Sequence, residues 1–331
     1  MSNKDLPLVS IVIPAYWAEA YIAETLESVV NQTYANIEAF VVDDGSDDGT
    51  VDLAKGYASD KLRVIRQENS GACVARNRGL ALSKGKYVQF LDADDVLSND
   101  KIEEQVKVLE KQPDCMAVSP TVHFMNGEDY LSMSPREESN WIFDTDDVVD
   151  FLVRLYGGYG ERWMVQTSAW LTPKAICERI GPWNEKLLIN QDGEYFARAV
   201  LASRGIRTSG GMNYYRRFVS GSNVSAKYNK MENLESAVLS LQLIDEYIGR
   251  HTRSDAYQRA MATLFREIAI NAYPMFPKIV ETCEARVRNS GQHPSLPVMG
   301  GRIVEVIKKT LGWKAAKQIR MFVHKLRNDR A

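Results

Sequence analysis

The stretch Lys86-Tyr87-Val88-Gln89-Phe90-Leu91-Asp92-Ala93-Asp94-Asp95-Val96 decides the fold. Its first half is a short apolar run of the kind found in buried strands, and carboxylates follow it at once. Because strand interiors exclude Asp, we expect the strand to stop at Leu91 and the acids to lie at its carboxyl end. In open α/β sheets, ligands bind at that end of the strands.

The acids after this strand need a partner. Carboxylates this close repel one another unless a cation or hydrogen bonds hold them. Asp92 and Asp94 are spaced to face one hard cation, which prefers oxygen ligands. We therefore interpret Asp92-Ala93-Asp94 as a site for Mn²⁺ or Mg²⁺ that neutralises the diphosphate of a nucleotide-sugar. The alternative is a solvated strand-to-helix turn in which Asp95 or Asn99 caps a helix.

Apolar runs and helical patterns alternate on both sides of this stretch. Predicted strands lie at 8–13, 37–42, 62–65 and 87–91, and predicted helices at 20–32 and 72–82. We expect Pro14 to stop the first strand. The β-α-β-α-β-α-β order predicts a mainly parallel sheet with right-handed crossovers. No G-x-G-x-x-G and no Walker loop is present, so phosphate binding must use a metal instead of a glycine-rich cradle.

The second half of the chain changes from mixed to all-helical. Helices are predicted at 101–112, 147–156, 174–180 and 191–204, and strands at 117–119, 122–124, 166–171 and 207–218, the last closing the mixed sheet. Polar or glycine-rich loops are predicted at 132–145 and 157–165. From about residue 228 the pattern is helical only. We predict a catalytic domain at 1–222, divided into a nucleotide-binding half (1–95) and an acceptor-binding half (96–222), and a helical region at 223–331.

Charge is distributed unevenly along the chain. The net charge of the 331 residues is -2, which predicts no polyanion-binding surface and no nucleic-acid partner. Residues 300–331, however, hold nine Lys or Arg against two acids, around apolar residues that recur at steps of three and four. This basic amphipathic segment either packs on its own domain or a partner subunit, or lies in an anionic membrane interface.

Cysteine usage and the terminus bear on localisation. The four cysteines are far apart and have no zinc spacing, which indicates a reducing compartment. The N-terminus lacks the features of a signal peptide, and no run of 18 apolar residues occurs. We therefore expect a cytoplasmic protein, in contact with the inner face of the cell membrane if residues 300–331 bind lipid.

Four motifs, in this order and spacing, resemble the signature series of glycosyltransferase family 2. They are Val9-Ser10-Ile11-Val12-Ile13-Pro14-Ala15-Tyr16, Val42-Asp43-Asp44-Gly45-Ser46-Asp47-Asp48-Gly49-Thr50, Gly71 with Ala75-Arg76-Asn77, and Phe90-Leu91-Asp92-Ala93-Asp94-Asp95. The resemblance covers about residues 7–218. It implies the GT-A fold, a Rossmann-like, mixed and mainly parallel sheet with flanking helices, followed here by an α-helical C-terminal extension.

The resemblance also implies roles for individual residues at the donor site. The residues that would contact the nucleotide-sugar are Pro14, Ala15, Tyr16, Asp44, Asn69, Gly71, Arg76, Asp92, Ala93 and Asp94. Asp44 would bind the base, or else serve as a turn residue. Arg76 would border the base and ribose, or else form a surface ion pair. Asp94 would ligate the metal directly, and Asp92 would face the ribose or act as a second ligand.

On the acceptor side, Asp192 matches the family's catalytic base. A carboxylate there would take the proton of the acceptor hydroxyl as the bond to the anomeric carbon forms. Since Asp192 opens a predicted helix, we expect the helix N-terminus to favour its ionised form.

Four further residues are acceptor or lid candidates. Trp183 would stack on a sugar or pack in the core. Glu194 would bind the acceptor or remain structural. Arg216 or Arg217 would reach the diphosphate or form an edge-strand charge pair. The loop 218–227 is a candidate lid.

The resemblance implies an inverting, metal-dependent glycosyltransferase of the hexosyltransferase type. It would move a sugar from a nucleotide-diphosphate sugar, first of all a UDP-sugar, to a hydroxyl of a glycan or lipid-linked acceptor, in bacterial cell-surface polysaccharide or lipopolysaccharide biosynthesis. One alternative is a non-catalytic GT-A-like binding subunit. Another is a haloacid-dehalogenase-type phosphatase, because Asp92-x-Asp94-x-Val96 resembles the nucleophile motif of that class.

Overall fold

The computed structural model describes residues 6–136, 141–218 and 230–328. The strands are β1 (Val9–Ala15), β2 (Ile37–Asp43), β3 (Leu62–Arg66), β4 (Tyr87–Phe90), β5 (Val96–Leu97), β6 (Met116–Val118), β7 (Thr121–Met125), β8 (Trp170–Pro173), β9 (Ile206–Thr208) and β10 (Asn213–Arg217). The helices are α1 (Ile22–Val30), α2 (Thr50–Gly56), α3 (Ala72–Leu82), α4 (Lys101–Leu109), α5 (Val148–Leu155), α6 (Lys174–Ile180), α7 (Gln191–Ala202), α8 (Met231–Gly249), α9 (Asp255–Ala272), α10 (Pro277–Asn289) and α11 (Arg302–Asn328).

The main sheet has seven strands in the order β3-β2-β1-β4-β8-β6-β9. β1 pairs in parallel with β2 and β4, and β3 pairs in parallel with β2. β8 is antiparallel to both of its neighbours, β4 and β6. The predicted α/β class with a mixed, mainly parallel sheet is confirmed, and the carboxyl ends of β1, β2 and β4 lie at one edge.

The prediction that residues 207–218 close the main sheet is wrong. β9 is the edge strand of that sheet, but β10 joins a second sheet in the order β5-β10-β7. The chain turns between them at Gly211, whose φ is +72°. A Cβ there would lie 2.5 Å from the Cα of Lys101, so the turn packs too closely on α4 for any side chain.

Two strand boundaries also differ from the predictions. β1 continues through Pro14 to Ala15, because β4 pairs only as far as Phe90, opposite Val12, and Pro14 meets no strand on that side. The strand predicted at 166–171 begins only at Trp170, since a 3-10 turn occupies Thr167–Ala169.

The helical region shares its core with the sheet. One buried cluster runs from Phe90 and Trp170 on the sheet, through α7 to α10, to Trp313 on α11. The predicted boundary at 222/223 lies outside the described residues and stays a prediction. All four cysteines are buried and free of disulfides.

α11 is bent at Gly312, which has φ +85° inside the helix. Trp313 is buried against Tyr273, with the ring centroids 5.4 Å apart, whereas Ile303, Leu311 and Phe322 are exposed. Within residues 6–136, 141–218 and 230–328, no helix has the length and apolar character needed to cross a membrane.

Candidate active site

A cleft of about 1480 Å³ opens at the carboxyl ends of β1, β2 and β4. All ten predicted donor contacts line it: Pro14, Ala15, Tyr16, Asp44, Asn69, Gly71, Arg76, Asp92, Ala93 and Asp94. Asp192 and Arg216 line it too, so the fold brings residues from both halves of the predicted domain to one cavity.

Asp44 builds part of the cleft wall. The side chain is buried, and its Oδ1 accepts hydrogen bonds from Gln67 Nε2 at 2.8 Å and from the Ser70 amide at 2.9 Å. Its Oδ2 accepts from the Gly71 amide at 2.8 Å. The carboxylate therefore fixes the path of the chain from Gln67 to the start of α3, whatever else it contacts.

The three acids after β4 occupy different environments. Asp92 forms an ion pair with Arg76 at 2.7 Å and keeps about a third of its side chain exposed. Burial, together with the neighbouring charge of Asp92, raises the pKa of Asp94 to about 6. Asp95 is fully buried and accepts a hydrogen bond from Ser168 Oγ at 2.8 Å, and burial raises its pKa well above the usual range.

The alternative in which Asp95 or Asn99 caps a helix is wrong. α4 begins after Asp100, so neither Asp95 nor Asn99 is its N-cap. Asp95 is instead an internal anchor, because the backbone amide of Arg216 also donates to it at 3.2 Å. Ser168, which the sequence did not single out, both donates to Asp95 and accepts from the Asp92 amide at 3.2 Å. The 3-10 turn Thr167–Ala169, which shortens β8, thus holds residues 92–95, here called the acid loop.

The acid loop fits a divalent cation of the magnesium type. Among the described residues no group of three or more His, Cys, Asp or Glu side chains is placed to hold a metal. Mg²⁺, however, is usually held by one or two carboxylates together with substrate phosphates and water. Asp92 and Asp94 meet that description. Burial and, after it, the charge of Asp92 raise the pKa of Asp94, and a cation would relieve the repulsion between the two charges.

Arg76 joins the acid loop to the first residue of α7, Gln191. Its guanidinium is buried, bonds Asp92, and also donates to Gln191 Oε1 at 3.1 Å. It lies over the ring of Trp183, 4.6 Å from the centroid. The alternative of a surface ion pair is therefore wrong, because the pair is built into the cleft floor. Cys73 Sγ approaches the same Gln191 oxygen at 2.7 Å.

Asp192 lies in the first turn of α7, half-buried at the cleft. Burial raises its pKa above the usual range, while the Gly193 amide and the Arg76 charge act in the opposite direction. The helix N-terminus acts in the expected direction, because the Gly193 amide lowers the pKa of Asp192. Burial, however, raises that pKa by more. A carboxylate with a raised pKa is a stronger base once it is ionised.

Trp183 and Glu194 do not face the cleft. Trp183 is buried and stacks on Tyr195, with ring centroids 4.1 Å apart, so the sugar-stacking role is wrong. Glu194 is also buried, bonded to Arg198 at 2.8 Å and to the Tyr247 hydroxyl at 3.0 Å. Both are structural, although their sequence neighbourhood suggested acceptor contacts.

Arg216 supports the acid loop from behind. Its Nε donates to the Asp94 carbonyl at 2.9 Å, and its terminal nitrogens bond Asn126 and Glu24. Arg217 is exposed and does not line the cleft. Of the predicted lid at 218–227, Phe218 packs edge-on against Tyr21 at 5.3 Å, and the rest lies outside the described residues.

The opposite wall of the cleft was missed by the sequence interpretation. It comes from the end of α5, the following loop, α8 and α9, and includes Leu155, Tyr156, Arg162, Trp163, Asn233, Ala237, Leu241, Leu264, Glu267 and Asn271. Periodicity predicted these helices but carried no signal for which face of each would meet the cleft.

Comparisons with known proteins agree with this geometry. The model of the family described as Glycosyl transferase family 2 matches residues 10–169. A Bacillus subtilis protein named as a teichuronic acid biosynthesis glycosyltransferase, TuaG, is 43% identical over 106 residues, which are 31% of this chain and 42% of that protein. The B. subtilis glycosyltransferase EpsH is 35% identical over 122 residues, 36% of each chain. The alignments thus span less than half of these relatives.

The fold has a solved counterpart. The crystal structure of S. aureus TarS 1-349 in complex with UDP-GlcNAc superposes with a TM-score of 0.57 at 17% identity, over 88% of this chain and 94% of that one. The same protein in complex with UDP gives a TM-score of 0.51. At this identity the likeness establishes a GT-A-like fold with a helical C-terminal region.

Proposed function

We propose, from the premise that residues 10–169 are a glycosyl transferase family 2 domain, that this protein is an inverting glycosyltransferase that uses a nucleotide-diphosphate sugar. The observation that carries the proposal is that Asp44, the Asp92/Asp94 pair and Asp192 line one cleft. A UDP-sugar is the first choice of donor, since TarS was crystallised with UDP-GlcNAc. The sugar would be a hexose or hexose derivative.

The donor half of the cleft would hold the nucleotide and its diphosphate. Asp44, with Pro14, Ala15 and Tyr16 beside it, would border the base. Asp94 and Asp92 would hold Mn²⁺ or Mg²⁺, which when bound stabilises a leaving diphosphate. Arg76, through its ion pair, keeps the Asp92 carboxylate in place.

Asp192 would act as the general base. The acceptor oxygen forms a bond to the anomeric carbon, the bond from that carbon to the diphosphate oxygen breaks, and the hydroxyl proton passes to Asp192. The nucleoside diphosphate leaves from the opposite face, so the configuration inverts. The raised pKa of Asp192 makes its ionised carboxylate a stronger base for this proton.

The acceptor would be a hydroxyl of a bacterial cell-surface glycan or of its lipid-linked precursor. The name of the TuaG relative, a teichuronic acid biosynthesis glycosyltransferase, supports this class. A non-catalytic binding subunit would bind the donor and release no product, and a phosphatase would release inorganic phosphate. The phosphatase has no support, since residues 92–96 lie inside the matched family segment.

Contact with the inner face of the membrane would follow from α11. Ile303, Leu311 and Phe322 are exposed beside the exposed Lys309 and Lys314. Trp313, in the same segment, is part of the core. Deleting residues 300–331 would therefore damage the fold, and point changes are the better test. Lys309→Glu with Lys314→Glu should reduce co-sedimentation with anionic vesicles, and unchanged binding would remove the idea.

The proposed reaction is tested by a screen of nucleoside diphosphates and UDP-sugars with Mn²⁺ or Mg²⁺. A ligand of the native state raises the melting temperature in proportion to the logarithm of its concentration over Kd. Ligands that stabilise are then assayed for release of UDP. Binding without release would favour the non-catalytic subunit, and the absence of any metal-dependent nucleotide binding would overturn the proposal.

A further inference from the structure

Helix α8 reaches the segment that leads into α7 and Asp192. The buried Ser236 Oγ accepts two backbone hydrogen bonds from it, from the Leu188 amide at 2.7 Å and from the Ile189 amide at 3.0 Å. One hydroxyl thus satisfies two consecutive amides that belong to neither a helix nor a strand. Because buried amides need acceptors, this contact fixes the backbone of the segment at that point.

Ser240, one turn further along α8, holds the next residue. Its hydroxyl donates to the Asn190 carbonyl at 2.9 Å and accepts from Asn190 Nδ2 at 2.8 Å. Asn190 is the residue before α7 and has φ +55°, in the left-handed region. Asn tolerates this region better than most residues, and the paired contacts with Ser240 secure it there.

The turn that follows is compact. A Cβ on Gly193 would lie 2.3 Å from Asn190 Oδ1, so the Asn190 side chain occupies the space beside that glycine. From the other side, the Tyr156 hydroxyl donates to the Gly193 carbonyl at 3.1 Å. Asp192 lies between Asn190 and Gly193 in the chain. The contacts that hold these two residues therefore also set the direction of the Asp192 carboxylate.

We propose that Ser236 and Ser240 are positioning residues for Asp192, so that α8, which lies outside the matched segment 10–169, sets the geometry of the general base. The inference rests on the proposed role of Asp192. Its physical basis is that proton transfer requires the base within hydrogen-bond reach of the acceptor hydroxyl, and a displacement of about 1 Å can cost 10²-fold in rate.

The test compares Ser236→Ala with wild type, Asp192→Asn and two controls. Ser236→Ala leaves the Leu188 and Ile189 amides without their acceptor. Ser236→Thr keeps the hydroxyl. Ser83→Ala removes another buried hydroxyl, which donates to the Gly79 carbonyl at 2.9 Å at the end of α3, and controls for a general loss of stability. Ser240→Ala is a second variant with the same expected sign.

Two measurements decide the matter. Hydrogen–deuterium exchange of a peptide spanning residues 186–196 should quicken in Ser236→Ala and not in Ser83→Ala. With the UDP-sugar that wild type cleaves fastest, kcat for UDP release should fall about 10- to 100-fold in Ser236→Ala, while KM for the donor stays within twofold. Ser236→Thr should restore most of kcat.

The inference fails if Ser236→Ala retains wild-type kcat under conditions where Asp192→Asn has lost it. It also fails if exchange of the 186–196 peptide is unchanged, or if Ser83→Ala lowers kcat equally. If instead wild type and Asp192→Asn release UDP at the same rate, the proposed role of Asp192 has failed, and the positioning role fails with it. The two failures are therefore distinct observations.

Discussion

The two walls of the cleft are built in different ways. On the donor wall, at the carboxyl ends of β1, β2 and β4, the acids come at strand ends: Asp44 directly follows β2, and Asp92 and Asp94 come shortly after β4. On the wall opposite, Asp192 lies in a turn held by Ser236 and Ser240, more than 40 residues further along the chain. The order of the parallel strands therefore places the donor acids, whereas the placement of the base depends on the packing of α8.

The largest effect should come from the base. Asp192→Asn should lower UDP release by ~10²–10⁴, because the amide cannot accept the acceptor proton. Donor affinity should stay near that of wild type, since Asp192 stands apart from the strand ends that form the donor wall. Steady-state kinetics with titration calorimetry would measure both. Normal turnover in this variant would show that Asp192 is not the base.

Removing the proposed metal ligand should act on the donor wall alone. Asp94→Ala should eliminate the increment in UDP affinity that Mn²⁺ provides, because a single remaining carboxylate, already paired with Arg76, is a poor ligand set. Calorimetry of UDP binding with Mn²⁺ and with EDTA measures the increment, and Asp100→Ala, at an exposed acid just before α4, serves as control. A metal-dependent affinity that persists would contradict the ligand role.

Asp44→Ala should weaken donor binding by about 10- to 100-fold. The change leaves Gln67 Nε2 and two backbone amides without their acceptor, a cost of ~1–3 kcal/mol for each buried group. The matched control is Asp47→Ala, an exposed acid in the same loop. The comparison is of KM for the donor, which should rise only for Asp44→Ala. An equal response of the two variants would place Asp44 outside the donor wall.

The smallest effect concerns stability and pH. The folded pKa of Asp94, about 6, lies above the unfolded value of ~3.9, so the native state binds this proton more tightly. The stability that this proton contributes is complete below pH ~3.9 and is lost as pH rises from there to about 6. Asp94→Asn should therefore raise the melting temperature by a few degrees at pH 7.5 and have little effect at about pH 3.5, below the unfolded pKa, without metal. Equal shifts at the two pH values would disprove a raised pKa.

Much of the donor wall could be predicted from the sequence. An apolar run followed by acids marks both the end of a strand and a polar edge, so Asp44, Asp92 and Asp94 were placed together correctly. The errors concern side-chain direction. Glu194 belongs to the motif around Asp192, yet the rotation of α7 turns it into the core, and Trp183, in the loop before that helix, packs there on Tyr195.

The sequence by itself determined the α/β class, the order of the strands along the chain and the identity of the acids at one sheet edge, because alternating periodicity and strand-end residues are local properties. Only the tertiary structure decided that β10 leaves the main sheet, that Ser168 anchors the acid loop, and that α8 holds the turn of Asp192. These outcomes depend on contacts between segments far apart in the chain. Such contacts are selected by packing and hydrogen-bond satisfaction in the assembled core, and no local pattern encodes them.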